Sequence, residues 1–404
     1  MLTAGIESCR WSTSRLLSDE RILSAIEERE TLELLQALIR CPSENPPGNE
    51  AEKARCLAAY FECHGIDVEL TEIDHGRPNA TASYGDGQPT VILNGHIDTV
   101  PVGPGWTVDP FGAEIRDGFV YGRGAVDMLG GVAAMSAAVV ALKRSAIELR
   151  GRVVVHAVVD EEVDSKGSKH AAKDVTADYV IVTEPTAGIV QSFGKGQLNV
   201  EIHFQGKAAH SSRPDLGRNA IHDAAAFIAL VELENARIAD TIHPGVGPAT
   251  FSTGVISGGT SGSTVAAECV VTLDRRLLPT ETLHEAQAHV ERLVDQLAAE
   301  RPGLAATVTP TLLFPAFPPV LDTRLAEVVQ SVVRMLGISS GEVGGATGAT
   351  DATWYASRGI PTVIFGPGQI ETCHQPDECI AIDELHSGTR ALALIVARLL
   401  RAGA

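Results

Sequence analysis

Two patterns of hydrophobic and polar positions divide the chain. Towards both ends, continuous apolar runs alternate with segments in which apolar residues recur at helical spacing; the four runs are TVILNGH, RVVVHAVVD, DYVIVTEP and PTVIFGPG. Apolar strands that alternate with helices are typical of a mostly parallel sheet covered by helices on both faces. The pattern therefore predicts an α/β domain that is built from both ends of the chain.

The middle of the chain has a different pattern. Its strands alternate between apolar and polar residues, and they are QLNVEIHFQG, ATFSTGVISGG, TVAAECVVTLDRRL and LAATVTPTLL. Two helical segments lie among them, which gives the order strand, helix, strand, strand, helix, strand of a ferredoxin-like α+β domain. We predict that this domain, residues 194–308, is inserted into a main domain formed by residues 1–193 and 309–404, in which residues 1–20 are a mobile extension.

Composition excludes several classes of partner. The 404 residues carry a formal net charge of −19 and only 4% aromatic residues, which argues against binding to nucleic acid or to an anionic membrane. The seven cysteines show no close pairing, so we expect a cytoplasmic protein without disulfides. We expect no secretory signal, and the longest apolar stretch, MLGGVAAMSAAVVAL, is better interpreted as a buried helix than as a membrane span.

Side chains capable of chemistry follow the apolar strands at their carboxyl ends. In chain order they are His96 and Asp98, Glu161 and Glu162, Glu184, and His374. Asp127 lies in the glycine-rich stretch YGRGAVDMLGG, just before a predicted helix. In open α/β sheets, ligands bind beyond the carboxyl ends of the strands, so we expect these side chains to meet at one edge of the sheet.

Several carboxylates at one edge require compensation, because neighbouring acids raise each other's pKa and repel. Imidazole and carboxylate ligands without thiolates suit zinc, cobalt or manganese, and the set is large enough for two ions about 3.5–4 Å apart. Taken singly, each residue has an ordinary explanation, such as a helix cap at Asp127 or solvated acids at a strand end. Cys373 could be a thiol nucleophile beside His374, although a small buried residue is the preferred interpretation. Four strands that end alike favour a metal site.

The motifs resemble those of a known family. They are GHIDTVP, WTVDPFGAEIRDGFVYGRGAVDMLGG, DEEVDSKGS, TEPT, GKAAHSSRPDLGRNAI and GPG…CHQPDE, in this order from about residue 30 to the C-terminus. The chain resembles the dinuclear metallohydrolases that include acetylornithine deacetylase, succinyl-diaminopimelate desuccinylase, aminoacylase and the glutamate-releasing carboxypeptidase. As a set, these motifs are highly specific.

The resemblance implies a role for each residue at the edge of the sheet. It assigns His96 and Glu184 to one metal ion, Glu162 and His374 to the other, and Asp127 to a bridge between the two. Asp98 is expected to orient His96, as carboxylates commonly do for ligating imidazoles. Glu161 is expected to be the general base that activates a water molecule bridging two divalent ions, with zinc preferred and cobalt or manganese as alternatives. A cis Asp127–Met128 peptide bond is also expected.

The inserted domain is implied to be a lid and a dimerisation surface. In the dimeric relatives, a histidine in the motif that contains His210 donates to the oxyanion across the subunit interface; a helix cap or a solvent-facing histidine is the alternative from sequence alone. In GGTSGSTVAAE, Ser263 stands where the family has Asn, and Ala266 where it has Pro. Arg276 is a candidate for binding a substrate carboxylate, and an ion pair with Asp274 is an equally good interpretation.

These features predict a hydrolase of C–N bonds. The leading interpretation is a cytoplasmic homodimer that removes the acyl group from an N-acyl amino acid, and Glu184 favours it because the peptidases of the family often have Asp there. The runner-up is a carboxypeptidase or dipeptidase with the same metals and a short peptide as substrate. A C–N hydrolase of ring or carbamoyl substrates also stays open. A non-catalytic metal-dependent binding protein is disfavoured, because binding alone needs no base at Glu161.

Overall fold

The computed structural model describes residues 17–319 and 323–401, so most of the predicted mobile extension lies outside the described residues. The described chain divides into two compact bodies. The second body consists of Phe193–Pro319 and Gly344–Thr353, and the first body is the rest of the described chain. Each body has its own hydrophobic core.

Strands and helices alternate along most of the described chain. The strands are β1 Asp67–Asp74, β2 Arg77–Asp86, β3 Thr90–His96, β4 Glu114–Arg116, β5 Phe119–Tyr121, β6 Gly151–Val158, β7 Tyr179–Pro185, β8 Val190–Gly194, β9 Gly196–Gln205, β10 Ile242–His243, β11 Gly247–Pro248, β12 Thr250–Gly258, β13 Glu268–Leu277, β14 Ala305–Phe314, β15 Val343–Ala346, β16 Thr362–Gly366 and β17 Cys379–Ala381. The α-helices are α1 Glu28–Ile39, α2 Ala51–Cys63, α3 Gly130–Arg144, α4 Lys166–Ala172, α5 Ala220–Ile238, α6 Leu283–Glu300, α7 Thr323–Met335, α8 Ala352–Ala356 and α9 Ile382–Leu399. Residues 17–24 are also helical.

A mostly parallel sheet forms the centre of the first body. Its strands follow the order β1-β2-β6-β3-β7-β16, and the pairs β6–β3, β3–β7 and β7–β16 are parallel. β8 and β15 follow β16 in the strand order, and each contains a boundary between the bodies. Every residue of β3, β7 and β16 is buried, which explains why these strands are apolar throughout. The predicted α/β fold class is confirmed.

Small residues let α3 pack closely against the sheet. Residues 130–142 of this helix are all buried, and a Cβ atom on Gly131 would overlap the carbonyl oxygen of Thr183 in β7. The segment Ala125–Arg144 is long and apolar enough to cross a membrane, but 94% of its apolar 18-residue stretch is buried inside the protein. The prediction of a buried helix is therefore confirmed, and α9 packs against its outer side.

The second body is a small α+β domain. Its sheet has the antiparallel order β12-β13-β9-β14, and α5 and α6 pack against the sheet. Phe227 of α5 and Val290 of α6 are fully buried in its core. The predicted order of strands and helices is confirmed, with the short β10–β11 hairpin as an addition.

This body extends further than the sequence pattern predicts. The pattern placed its end at residue 308, whereas the body continues to Pro319 and also includes Gly344–Thr353. Two pairings explain the difference: Phe317 forms a β-bridge with Gly194, and the Lys195 N–H donates to the Ala346 carbonyl oxygen at 2.9 Å. Such pairings join distant parts of the chain, so the apolar pattern of one segment does not reveal them.

A buried lysine connects α2 to the chain that follows β3. The Lys53 Nζ atom donates to Ser43 Oγ at 2.6 Å, and this hydroxyl donates to the Ile97 carbonyl oxygen at 2.7 Å. Lys53 is only 1% exposed. Burial lowers the pKa of Lys53 from 10.5 to about 8. The charged lysine therefore costs stability at neutral pH, and its side chain loses its proton more easily in the folded protein than in the unfolded one.

We predict that Lys53→Met changes how stability depends on pH. Between the folded pKa of about 8 and the unfolded value of 10.5, the unfolded wild type binds more protons than the folded one. The free energy of unfolding of the wild type, relative to the variant, should therefore rise across this window, by at most about 3 kcal/mol. Urea unfolding at about pH 7.5 and about pH 10 measures the change.

The matched control is Lys166→Met, because Lys166 lies at the surface and pairs with Asp74 at 3.0 Å. The pKa of Lys166 is raised rather than lowered, first by its hydrogen bond with Asp74. Its substitution should produce no such rise. The prediction would be contradicted if the free energy of unfolding of the wild type, relative to Lys53→Met, stayed constant or fell as the pH rose.

Candidate metal centre

The first body brings five of the predicted side chains together beyond the carboxyl ends of its strands. Parallel strands end at the same edge of a sheet, which is why residues so far apart in sequence meet. His96 is the last residue of β3, Glu184 lies near the end of β7, and Glu162 follows β6. Asp127 lies in a π-helical turn, Ala125–Leu129, and His374 follows a 3₁₀ turn, Ile370–Thr372.

These side chains form two groups that share one aspartate. The first group is His96, Asp127 and Glu184, and the second is Asp127, Glu162 and His374; within each group the ligand atoms lie within 4.8 Å of one another. The two carboxylate oxygens of Asp127 face different imidazoles. Oδ1 lies 3.2 Å from His96 Nε2, and Oδ2 lies 3.1 Å from His374 Nε2. This is the geometry of a carboxylate that bridges two sites, and the expected cis Asp127–Met128 peptide is present beside it.

The remaining distances complete the two groups. Glu184 Oε1 lies 3.6 Å from His96 Nε2, and Glu162 Oε2 lies 3.3 Å from His374 Nε2. Within the described chain, the other oxygen of Glu162, Oε1, is buried without a hydrogen-bond partner. Burying such an oxygen is costly unless it meets a donor or a cation. The donor set consists of two imidazoles and three carboxylates, one of which is the shared aspartate, and it fits a pair of divalent metal ions.

Positive charge holds the carboxylates in place. Burial opposes a charge on the imidazole of His96, but the contact with Asp127 and the nearby charge of Glu184 raise the pKa of His96 well above its usual value. Hydrogen bonds with Asp127 and then Glu162 raise the pKa of His374 to about 10. Burial favours a protonated Asp127, but its hydrogen bonds with His374 and His96 prevail and lower the pKa of Asp127. The site therefore favours an ionised Asp127 between two protonated imidazoles, whereas burial raises the pKa of Glu162.

Asp98 has a different contact from the one expected. The atom closest to His96 Nδ1 is the backbone carbonyl oxygen of Asp98 at 3.0 Å, while the nearer carboxylate oxygen is 3.6 Å away. The carboxylate instead accepts the N–H groups of Glu161 and Glu162, each at 3.1 Å. The His96 ring is therefore oriented by a main-chain carbonyl that follows β3. The side chain of Asp98 positions the segment that carries the predicted base.

Glu161 lies beside the first group without belonging to it. Its Oε2 atom is 4.0 Å from His96 Nε2, and its side chain is 12% exposed. The neighbouring Glu162 points into the second group. Glu161 is therefore close enough to act on a molecule held between the groups, as a general base must be.

The candidates in the second body fall into two places. The segment of His210 runs beside that of Ser263: His210 forms a β-bridge with Thr264, and the Ser211 N–H donates to the Ser263 carbonyl oxygen at 3.0 Å. Arg276 lies at the other end of β13, about 25 Å along the strand. Its Nε atom pairs with Asp274 Oδ1 at 2.9 Å, which is the alternative interpretation that the sequence allowed. The structure therefore groups His210 with Ser263 and places Arg276 apart from them.

Sequence reasoning missed two residues that support the site. Asn45, which no sequence pattern singled out, donates to Asp98 Oδ2 at 2.9 Å and to Asp160 Oδ1 at 3.1 Å. Glu378, quoted only as part of a motif, accepts the N–H of Asp127 at 3.1 Å. The one signal for Glu378 in the sequence was an acidic pair shortly after a predicted ligand. For Cys373, burial raises the pKa of the thiol, which disfavours a nucleophilic thiolate.

Comparisons with known proteins agree with this geometry. A sequence profile described as peptidase family M20/M25/M40 matches residues 92–398. The chain is 31% identical to an acetylornithine deacetylase of Vibrio parahaemolyticus, over 81% of this chain and 86% of the relative. It is 28% identical to an N-formyl-4-amino-5-aminomethyl-2-methylpyrimidine deformylase of Halalkalibacterium halodurans, over 93% of this chain and 96% of the relative.

A solved structure has the same fold. It is a tripeptidase from Staphylococcus aureus, which is 25% identical, matches with a TM-score of 0.79, and covers 93% of this chain and 99% of its own. The resemblance seen in the sequence motifs is thereby confirmed. The chain belongs to peptidase family M20/M25/M40 and is a metal-dependent hydrolase of amide C–N bonds.

Proposed function

We propose that the protein removes the acyl group from an N-acyl amino acid or a similar small N-acyl amine, using two divalent metal ions, with zinc as the best match. The observation that carries the proposal is the pair of ligand groups that share Asp127, with Glu161 beside them. The relatives named as a deacetylase and a deformylase support an acyl substrate. Two metal ions, when bound, supply Lewis acidity to a water molecule and to the substrate carbonyl.

Glu161 is proposed to move the proton. Its carboxylate accepts a proton from the attacking water and returns it to the leaving nitrogen, which is why one side chain serves both half-reactions. Asp98 fixes the backbone of Glu161 through the N–H that it accepts at 3.1 Å. The carboxylate of Glu162, next in the chain, is committed to the second ligand group, so the two adjacent acids have separate tasks.

An exopeptidase is the second candidate. It is favoured by the tripeptidase structure, which covers almost the whole of this chain. Both candidates cleave an amide bond with the same ligand groups, so the difference lies in how the substrate is held. Arg276 is the candidate for binding a carboxylate, although its ion pair with Asp274 already satisfies part of its charge. Ser263, which is exposed, is the candidate contact in place of the family's Asn.

We further propose a homodimer in which His210 acts in the partner's site. None of the connections between the two bodies lies in β9; they are at Phe193, Pro319, Gly344 and Thr353. β9 begins at Gly196, next to the first connection, and His210 follows its far end at Gln205, about 30 Å along the strand. Its imidazole Nδ1 lies 2.8 Å from Ser212 Oγ, which leaves Nε2 available for a substrate. The proposal follows from the family resemblance, and the exposed imidazole of His210 is consistent with it.

The first prediction of the proposed function concerns metal stoichiometry. Purified protein should bind two divalent ions per chain, because the shared Asp127 divides the ligands into two groups. Glu184→Ala and Glu162→Ala should each weaken one ion by at least about 10-fold, whereas Asp127→Ala should weaken both. Elemental analysis after equilibrium dialysis against graded zinc concentrations measures this.

The control for these ligand variants is Glu161→Gln, which should retain both ions because Glu161 belongs to neither group. One tightly bound ion per wild-type chain would contradict the two-ion proposal. Loss of an ion in Glu161→Gln would mean that the roles of Glu161 and Glu162 are exchanged.

The second prediction concerns the substrate. In a panel of N-acetyl, N-formyl and N-succinyl amino acids and amines against di- and tripeptides, the highest kcat/KM should fall on an N-acyl compound. Glu161→Gln should lower kcat on that compound by at least about 100-fold, because the amide cannot accept the proton. Initial rates with zinc, cobalt and manganese measure both effects.

Higher kcat/KM on peptides throughout the panel would favour the exopeptidase. Turnover that survives in Glu161→Gln would assign the proton transfer to another residue. Binding of the compounds without any turnover, in wild-type protein loaded with each metal, would favour the non-catalytic interpretation.

The third prediction tests His210 by subunit exchange. His210→Ala and Glu161→Ala homodimers should each be nearly inactive, since an oxyanion donor contributes about 3–4 kcal/mol at the transition state. In a mixed dimer, a site completed across the interface regains both residues, so activity should return after mixing. Mass spectrometry of differently labelled chains measures the exchange itself.

If exchange occurs and activity does not return, His210 acts within its own chain or not at all. Wild-type protein that stays monomeric at assay concentrations would remove the basis of the proposal. Mixing each variant with itself provides the matched control for the handling.

A further inference from the structure

Among the five candidate ligands, His374 lies the most residues beyond the strand that precedes it. β16 ends at Gly366, and His374 follows eight residues later in an irregular segment with a left-handed backbone, φ 62°. Its side chain is 52% exposed, whereas that of His96 is 1% exposed. Yet its Nε2 atom lies 3.1 Å from Asp127 Oδ2. Something other than the sheet must fix this imidazole relative to the shared aspartate.

Glu378, four residues beyond His374, is buried and has both carboxylate oxygens occupied. Oε1 accepts the N–H groups of Val126 at 3.0 Å and Asp127 at 3.1 Å. Oε2 accepts Arg123 Nη1 at 2.6 Å and the N–H of Gly124 at 3.1 Å. Glu378 is 1% exposed, so these four donors replace its hydration.

All four donors belong to the segment that presents the shared aspartate. This segment cannot hold itself by a regular helix, because Asp127 and Met128 have non-helical backbone angles. Gly124 has φ 83°, and a Cβ atom there would crowd Thr99, so the turn needs glycine. Successive N–H groups in such a turn form a concave site for an anion. The carboxylate of Glu378 fills that site from within the chain.

We infer that Glu378 is a positioning residue, which fixes His374 and Asp127 relative to each other and thereby sets the geometry of the second ligand group. The inference rests on the proposed metal centre. It follows from two connections of Glu378. Along the chain, Glu378 is four residues from His374, and its carboxylate accepts four hydrogen bonds from the segment that contains Asp127. The role of Glu378 is therefore to couple two ligands rather than to touch metal or substrate.

The neighbouring Asp377 provides a matched comparison. Its carboxylate accepts the N–H of Thr107 at 2.8 Å and the hydroxyl of Thr107 at 2.7 Å, both at the surface. It fastens the same segment to a different loop. Asp377→Asn therefore perturbs the chain next to Glu378 but leaves the donors of residues 123–127 in place.

The experiment compares Glu378→Gln with Asp377→Asn by titrating metal-free protein with Co²⁺ and recording the visible absorption. Gln has nearly the size of Glu, but its NH₂ group would face N–H donors, so the turn at Asp127 must shift. Affinity for at least one of the two Co²⁺ equivalents should fall by about 10- to 100-fold, with a changed spectrum, while Asp377→Asn stays within about 3-fold of wild type. Thermal unfolding of the metal-free proteins checks that each variant is folded.

Glu378→Asp keeps the negative charge but is one methylene shorter, so it cannot serve both pairs of donors together. It should also weaken at least one equivalent, and it replaces Glu378→Gln if that variant does not fold. Wild-type affinity and spectrum in either folded variant would overturn the inference, as would equal losses in Asp377→Asn. If neither variant folds, amide hydrogen exchange in the metal-free wild type decides: fast exchange at Gly124, Val126 and Asp127 overturns the inference, and protection supports it.

These outcomes are separable from failure of the proposed function. A wild-type protein that binds fewer than two equivalents, or that hydrolyses nothing in the substrate panel, contradicts the proposed function. A wild type that binds two equivalents, and a Glu378→Gln variant that binds them equally well, contradicts only the role of Glu378.

Discussion

Repulsion among carboxylates that share a small volume is the constraint on which the rest of the site depends. Asp127 resolves part of it by presenting one oxygen to His96 and the other to His374. When protonated, the two imidazoles supply positive charge, and within the described chain Oε1 of Glu162 is still buried without a hydrogen-bond partner. The proposed pair of divalent cations would replace the imidazole protons and meet this demand, so one electrostatic requirement would account for both the acids and the metals.

The fold turns this constraint into a geometry that sequence could largely predict. Parallel strands end at one edge of the sheet, so a residue at the end of an apolar run in the sequence is expected to lie at that edge. His96 and Glu184 needed only this rule, because each lies at the end of a strand. The bridging place of Asp127 followed from the family resemblance and not from periodicity, since its turn has no regular pattern. The ferredoxin-like insertion was also predictable, because alternating strands and amphipathic helices have distinct periods.

The residues that hold the ligands were not predictable in the same way. Asn45 lies 53 residues before Asp98 and Glu378 lies 251 residues after Asp127, and neither belongs to a periodic element that reveals its partner. Both are polar and buried, which sequence alone presents as ordinary loop residues. The end of the inserted domain was misplaced for a related reason, since the bridge between Gly194 and Phe317 joins residues that no local pattern connects. Local periodicity identifies elements, whereas the contacts that orient a site depend on which loops meet.

The dimensions of the lid give the proposed dimer a physical purpose. His210 and Ser263 occupy one end of the second body, and Arg276 lies about 25 Å away along β13. A small N-acyl amino acid is much shorter than this separation, so the two ends of one lid cannot hold the same substrate molecule. If both ends contact substrate, as proposed, they must do so in different active sites, and the proposed homodimer is the simplest assembly that contains two such sites.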